Sequence, residues 1–283
     1  MKIDGRLIAH HILEMQKETV AKLLQQHIRP HLAVILVGND SSSMVYVNQK
    51  EKYGQKLGVK VTIYHFSAST DTKSFLHQVN SFVHKKEIHG AIIQRPVPLP
   101  IDKKILNEMV PPEKDVDGFH PQSRFTPPIA NATLAILRHV FETSAKEGKS
   151  SISFESWIRK QHVLVIGRGE TAGEPIAEKL KNVGAVVTIA HSQSKNMDET
   201  AKQSDIIVSC VGKPNIVRRE MVSLKTILIG VGLHAENQKL YPDYNEEKIR
   251  DIVAFYTPVP GGVGPVNVAC LFENVLKATS YQI

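Results

Sequence analysis

Two apolar runs, each closed by a glycine and followed by a helical pattern, constrain this chain more than any other feature. His31 to Gly38 reads HLAVILVG and His162 to Gly167 reads HVLVIG. A run without polar alternation is a strand covered on both faces, and such strands belong to parallel sheets with helical crossovers. The surrounding sequence keeps that rhythm. Ser41 to Ser43 can cap a helix to about Leu57 that Gly58 ends, Val59 to Phe66 is a second strand, and Thr70 to Lys86 is a helix with Phe75, Val79 and Phe82 on its apolar side. Gly90 to Gln94 is a third strand, broken by the proline-rich Arg95 to Pro100, and Ile8, Ile12 and Met15 share a helical face ahead of the first strand. In the second half Thr171 to Val183 is a helix, and Ala185 to His191, Asp205 to Gly212 and Thr226 to Gly232 are strands. A last helix covers about Val266 to Thr279. The fold class expected is α/β, with a second, Rossmann-like half.

The chain has 283 residues, which against about 150 residues per domain predicts two domains. With 42% hydrophobic and 22% charged residues, collagen-like, disordered and coiled-coil classes are excluded. No apolar run approaches the roughly 20 residues of a membrane helix, so no membrane partner is expected. Asp4, Glu14 and Glu18 argue against a signal or transit peptide, and a cytoplasmic location follows as the expectation. Cys210 and Cys270 sit in apolar stretches without a CxxC or Cys/His cluster, which predicts buried free thiols and no metal. A formal charge of +7 favours an anionic partner. Aromatics are only 6% and are not interleaved with Lys and Arg, so nucleic acid is the weaker candidate.

Gly167-Arg168-Gly169-Glu170-Thr171-Ala172-Gly173 stands between a strand and a helix. Glycines there let the backbone turn sharply and approach a pyrophosphate at the helix start; the plainer reading is a tight βα turn. The next strand ends Ala190-His191-Ser192-Gln193. No carboxylate stands there to repel a 2′-phosphate, and Arg168 with Ser192 offers a cation and a hydroxyl, which favours NADP over NAD.

Tyr46 and Lys50 share one helix face just beyond the C-terminal end of a strand, where open α/β sheets bind ligands, and Gln94 ends a neighbouring strand. The alternative is a solvated helix face. Lys114 to His120 (KDVDGFH) places two carboxylates and a glycine at a chain reversal. It is either Asx-turn chemistry or a carboxylate that accepts paired N–H bonds from a cyclic amidine such as a pterin. Thr257 to Pro265 (TPVPGGVGP) is stiff and glycine-rich, suited to presenting main-chain groups to a ligand or to making a structural turn. The polar stretch Ser144 to Ser156 reads as a linker or a surface excursion.

Taken together, the Tyr46-x-x-x-Lys50 helix, Ile93-Gln94-Arg95-Pro96, KDVDGFHP, the Gly167-Arg168 turn, His191-Ser192 and TPVPGGVGP resemble the bifunctional methylenetetrahydrofolate dehydrogenase/cyclohydrolase family over nearly the whole chain. The resemblance implies two α/β domains flanking a cleft: residues 1–121 plus 264–283 as a catalytic, folate-binding domain, and 122–263 as a Rossmann-like NADP-binding domain. It implies oxidation of 5,10-methylenetetrahydrofolate with NADP and hydrolysis of the methenyl product, in one-carbon metabolism and purine biosynthesis, usually by a homodimer. Carried over by position, Lys50, Tyr46, Gln94 and Asp117 would be catalytic; Ile93, Arg95, Pro260, Gly261, Gly262 and Val263 would bind tetrahydrofolate derivatives; Gly167, Arg168, Gly169, Ser192 and Leu233 would bind the cofactor.

The chain departs from the family pattern at several points. Ile129, Ala130 and Ala132 stand where that family has Thr, Pro and Gly, in a shortened joint. Arg95 replaces a usual leucine, Gly169 a serine and Gly230 an aspartate, and Val266-Asn267 replaces Met-Thr. These keep two other readings open: a relative with one of the two activities, or a folate- or nucleotide-binding protein without turnover. A 2-hydroxy-acid dehydrogenase would share only the Rossmann half.

Overall fold

The computed structural model describes residues 1–145, 152–236 and 239–283. In chain order, α1 (Gly5–Gln25), β1 (His31–Val37), α2 (Ser41–Leu57), β2 (Lys60–Phe66), α3 (Thr72–Val83), β3 (Gly90–Ile93) and α4 (Lys103–Glu108) make up the first half. There follow α5 (Pro128–Ser144), α6 (Phe154–Ile158), β4 (His162–Ile166), α7 (Gly173–Asn182), β5 (Val186–Ala190), α8 (Met197–Lys202) and β6 (Ile206–Ser209). The rest is β7 (Ile227–Gly230), β8 (Leu233–Glu236), β9 (Lys239–Pro242), α9 (Glu246–Ile249), β10 (Phe255–Tyr256) and α10 (Val263–Tyr281). No helix among the described residues is long and apolar enough to cross a membrane.

The chain divides into two compact units, one of His10–Pro128 with Val268–Ile283, the other of Met1–Ala9 with Ile129–Asn267. The sequence grouped residues 1–121 with 264–283. The first nine residues leave that group because Ile3 N donates to Tyr256 O at 2.8 Å and Gly5 N to Gly261 O at 2.9 Å. The later limits fall where α5 starts and inside α10, which runs unbroken through the expected boundary.

In the unit that carries α2, a parallel sheet has the order β2-β1-β3. Every residue of β1 is buried, and its side chains alternate between two cores. Leu32, Val34 and Leu36 join Leu13, Val20 and Leu23 of α1 and Phe272, Val275 and Leu276 of α10. Ala33, Ile35 and Val37 join Phe75, Val79 and Val83 of α3. Period-two alternation thus divides one continuous apolar run between two helical layers. Of the face read at Ile8, Ile12 and Met15, Ile8 is buried but Met15 is 66% exposed; the buried stripe of α1 in this unit is Leu13, Gln16, Val20 and Leu23. Asp40, not Ser41 to Ser43, caps α2, accepting from Ser43 N at 2.8 Å. Gly58 ends it with φ 84°. Asp71 caps α3 and sets its start two residues later than expected.

The other unit has a parallel sheet in the order β10-β7-β6-β4-β5 and an antiparallel hairpin of β8 and β9. Leu164, Ile166, Ile207 and Leu228 pack in one cluster with Met221, Tyr244 and Tyr256. The strand read to Gly232 stops at Gly230, because the Val231 and Gly232 amides both turn onto Ser209 O, at 2.8 and 2.9 Å. Of the polar stretch 144–156, residues 146–151 lie outside the described residues, and Ser153 caps α6.

The two glycine-closed runs are the strands at which chain order reverses, β1 between β2 and β3, and β4 between β5 and β6. Crossovers leave such a strand to opposite sides, so a crevice opens at its C-terminal end.

Candidate active site

At the C-terminal end of β1 the chain passes through Gly38 into α2, which carries Tyr46 and Lys50. Lys50 is only 8% exposed. Its Nζ donates to Gln94 Oε1 at 2.6 Å. Gln94 continues the ladder beyond β3, its N–H bonded to Ile35 O at 2.8 Å, and its Nε2 donates to Arg95 O at 3.0 Å. Lys50 therefore faces an acceptor whose direction the main chain fixes. Tyr46, one helical turn earlier, is half-buried, and burial raises its phenol. The solvated-face reading of this helix is incorrect at Lys50.

The two carboxylates of KDVDGFH stand in different surroundings. Asp115 makes the turn: it is buried and accepts from Gly118 N at 3.2 Å and His120 N at 2.7 Å. Burial pushes its carboxyl up to about 6 against those two bonds. Gly118 adopts φ 77°, where a side chain would also meet Phe125 O. Asp117 shares in neither bond and interacts with Lys50 and Arg95 instead. Burial raises Asp117, opposed first by Lys50 and then by Arg95, while burial lowers Lys50, opposed by Asp117. The Arg95 guanidinium lies 3.9 Å from the Phe119 ring centroid and donates to Asn107 Oδ1. Ile93 is different in kind: its side chain sits in the apolar cluster with Ile35 and Ala91, which leaves only its main chain for a ligand.

Sequence reasoning missed the clamps that hold this region. Asn274 Nδ2 of α10 donates to Val116 O and Thr126 O, both at 2.9 Å, fixing the turn that carries Asp117. Tyr53 OH donates to Gln16 Oε1 at 2.9 Å, and Gln16 Nε2 to Ala269 O at 2.8 Å. Buried amides at Gln16 and Asn274 in otherwise apolar helix faces were the available signal.

In the other unit, Gly167 takes φ 109° beyond β4, and a Cβ at Gly173 would overlap its carbonyl oxygen. Gly169 differs: a Cβ there would meet nothing within 4 Å. No side chain caps α7 at Ala172. Open space beside an uncapped helix start fits a pyrophosphate. Arg168 and Ser192 are exposed, and Leu233 opens β8 with its carbonyl against Gly212. Pro260 is exposed, whereas Gly262 and Val263 are buried.

Asp243, not singled out from sequence, organises the chain after β6. It is fully buried and accepts from Ser209 Oγ at 2.6 Å, Val211 N at 2.8 Å and Lys213 N at 2.9 Å. Tyr244 occupies the space where Gly230 would carry a side chain, and its hydroxyl donates to Thr257 O. Gly230 N in turn donates to Thr257 Oγ1 at 2.8 Å. Cys270 is buried and Cys210 partly so; both are free.

Fold and site define an α/β protein with a glycine-rich nucleotide turn in one unit and a buried amine–amide pair in the other. A family model described as tetrahydrofolate dehydrogenase/cyclohydrolase, catalytic domain, matches residues 3–117. The NAD(P)-binding domain of the same family matches residues 152–283. A bifunctional protein FolD of Macrococcus caseolyticus is 35% identical over 98% of this chain and 96% of its own length. One from Staphylococcus epidermidis is 36% identical over 98% and 95%. The crystal structure of the bifunctional FolD enzyme of Campylobacter jejuni superposes with a TM-score of 0.88 at 30% identity, covering 100% of this chain and 99% of that one. That of Trypanosoma brucei FolD, complexed with NADP cofactor and inhibitor, has a TM-score of 0.86 at 30% identity, with 99% and 97% covered. The chain belongs to the tetrahydrofolate dehydrogenase/cyclohydrolase family.

Proposed function

We propose that this protein oxidises 5,10-methylenetetrahydrofolate to 5,10-methenyltetrahydrofolate with NADP and hydrolyses the product to 10-formyltetrahydrofolate. The observation that carries this reading is the buried Lys50 amine, 2.6 Å from the Gln94 amide oxygen in the segment that matches the family's catalytic domain.

NADP, when bound, supplies the hydride acceptor. Gly167, Arg168, Gly169, Ser192 and Leu233 would hold it. The hydride leaves the methylene carbon as the adjacent nitrogen lone pair forms a C=N bond, so this step needs positioning rather than a strong base. Asp117 accepts paired N–H bonds from the pterin edge, and Tyr46 borders the ring. Ile93 through its main chain, and Arg95, complete the folate contacts that this unit supplies. Water then adds to the methenyl carbon and Lys50 takes one of its protons; as one C–N bond breaks, the remaining hydroxyl proton passes to the departing nitrogen and the formyl group stays on the other. A buried amine beside a cationic substrate is held as the free base, the form that can accept the proton. Gln94 keeps the amine aimed.

The deciding experiment assays the purified protein for NADP and NAD reduction with methylenetetrahydrofolate and, separately, for methenyl hydrolysis. Both activities are expected, with NADP preferred. Absence of both leaves a binding protein, and one alone leaves a single-activity relative. Lys50→Met abolishes hydrolysis and retains some hydride transfer; equal retention of both removes Lys50 from the mechanism. The same reading carries a homodimer in the cytoplasm, supported by the family resemblance; sedimentation equilibrium at the monomer mass would reject the dimer.

A further inference from the structure

We propose that the N-terminal edge of the β2-β1-β3 sheet carries a binding site for a phosphate dianion, free or esterified on a small molecule, gripped by Arg29 and Lys60. The site is separate from the function proposed above. β1 enters the sheet here at His31 and leads into α2, with Lys50, only from its other end, about 20 Å away for a strand of seven residues.

A cavity of about 350 Å³ opens at this edge, at the lower end of the sizes that take small molecules. Strand register sets part of its lining. Lys60 pairs with His31, and His89 N donates to His31 O at 3.0 Å, so Lys60, His31 and His89 stand in one row across the starts of three parallel strands. The chain leaving α1 supplies the rest. His27 takes φ 61°, and the amides of His27 and Ile28 bond back to Leu24 O and Leu23 O at 3.0 and 2.9 Å. Those bonds occupy helix-end carbonyls that would otherwise repel an anion. Arg29 follows, its Nε donating to Gly58 O at 3.3 Å, which leaves its terminal N–H groups for a ligand.

Charge and unspent hydrogen bonds select the ligand. Arg29 and Lys60 are exposed, and neither forms an ion pair among the described residues. A guanidinium fork and an ammonium can each take oxygens of one phosphate. His31 has nothing left to give: its Nδ1 donates to Glu87 O at 3.0 Å, so its Nε2 accepts from Thr62 Oγ1 at 2.8 Å. That engagement removes a metal reading of the imidazoles here, and no group among the described residues could hold a metal ion. His89 is the opposite case. Its Nδ1 is covered and has no hydrogen-bond partner, an arrangement that costs free energy until a ligand supplies one. Lys114, whose Nζ donates to Lys85 O at 2.8 Å, adds positive charge beside that ring. Burial first and Lys114 second lower His89, so it meets an anion as a neutral donor. Arg29, Lys60 and Lys114 against Glu87, the acidic residue of the lining, leave two positive charges. A phosphate monoester above its second pKa of about 6 carries the matching two negative ones, and a carboxylate does not.

The test is isothermal titration of the full-length protein with inorganic phosphate and with ribose 5-phosphate, each in the presence of saturating NADP so that the nucleotide turn is filled. Saturable binding is expected. Arg29→Gln and Lys60→Gln, both at exposed positions, should each weaken it by about tenfold or more. Glu87→Gln removes a negative charge from the lining and should tighten it a few-fold. Tighter binding of the ester assigns a phosphorylated small molecule, equal affinities assign the free ion, and either result supports the site. Acetate bound as tightly as phosphate overturns the dianion assignment. Absence of binding, binding untouched by the Arg29 and Lys60 substitutions, or weaker binding in Glu87→Gln overturns the proposal. Phosphate binding seen only without NADP belongs to the nucleotide turn and overturns it as well.

Discussion

Lys50 meets Gln94 at 2.6 Å, and because Gln94 Nε2 is already committed to the Arg95 carbonyl at 3.0 Å, the amide offers the lysine only its oxygen. That oxygen accepts from an ammonium and an amine alike. Gln94 thus sets direction and leaves protonation to burial, which lowers the lysine, and to Asp117, which opposes it.

Gln94→Glu replaces a neutral acceptor with an anion at hydrogen-bond distance from Lys50. An opposite charge stabilises the ammonium and raises the lysine pKa. The acidic limb of methenyl hydrolysis should shift to higher pH, with a loss at pH 7 of about tenfold or more and a smaller effect on hydride transfer. An unshifted limb in a pH–rate profile would show that Gln94 does not bear on Lys50.

Asp115 predicts a pH dependence of stability with a definite sign. Its carboxyl titrates at about 6 in the fold, above its value of 3.8 in the unfolded chain, so the folded state binds the proton more tightly. The group's contribution to stability therefore grows as pH falls from about 7 to 4 and is lost again as pH rises through 6. Urea unfolding of wild type and Asp115→Asn should show their stability difference changing in favour of wild type over that descent, by at most about 3 kcal/mol. A flat difference would mean that the two turn bonds fully offset burial.

In the nucleotide turn the glycines are unequal. Gly173→Ala forces a methyl onto the Gly167 carbonyl and should eliminate NADP binding by calorimetry or destabilise the unit outright. Gly169→Ser meets open space and should retain binding within about tenfold, roughly 1.4 kcal/mol. Equal losses would place the constraint in backbone freedom at 169 rather than in close packing at 173.

Removal of the Asp243 carboxylate strands the Ser209 hydroxyl and the amides of Val211 and Lys213 in a buried site. Asp243→Ala should cost about 3 kcal/mol or more in urea unfolding, and Asp243→Asn, which keeps an acceptor oxygen, clearly less. Equal costs would show that charge rather than hydrogen-bond count holds the segment.

Most strands and the main helices were legible in the sequence, because apolar runs and terminal glycines act locally. The chain reversal at KDVDGFH was legible as a site, yet its two carboxylates could not be told apart. Asp115 and Asp117 differ only in which main-chain amides and which cations reach them, and those come from residues 118, 120, 50 and 95. The β8–β9 hairpin and α5 went unread. The hairpin strands are four residues long and bury only Pro242, so they carry no burial pattern. α5 begins in a segment, PPIANA, that has no capping side chain to announce it.

Composition, the two glycine-closed apolar runs and the motif order by themselves determined a parallel α/β chain in two parts, with a nucleotide turn after β4 and a lysine helix after β1. These are consequences of neighbours in the chain, through burial periodicity and backbone freedom. Only the tertiary structure decided that Lys50 is buried, that Asp117 rather than Asp115 interacts with its charge, that Arg95 is anchored on Phe119, and that Ile3 and Gly5 pair with Tyr256 and Gly261. Each depends on desolvation and electrostatics among groups far apart in sequence, which strand register and helix docking bring together.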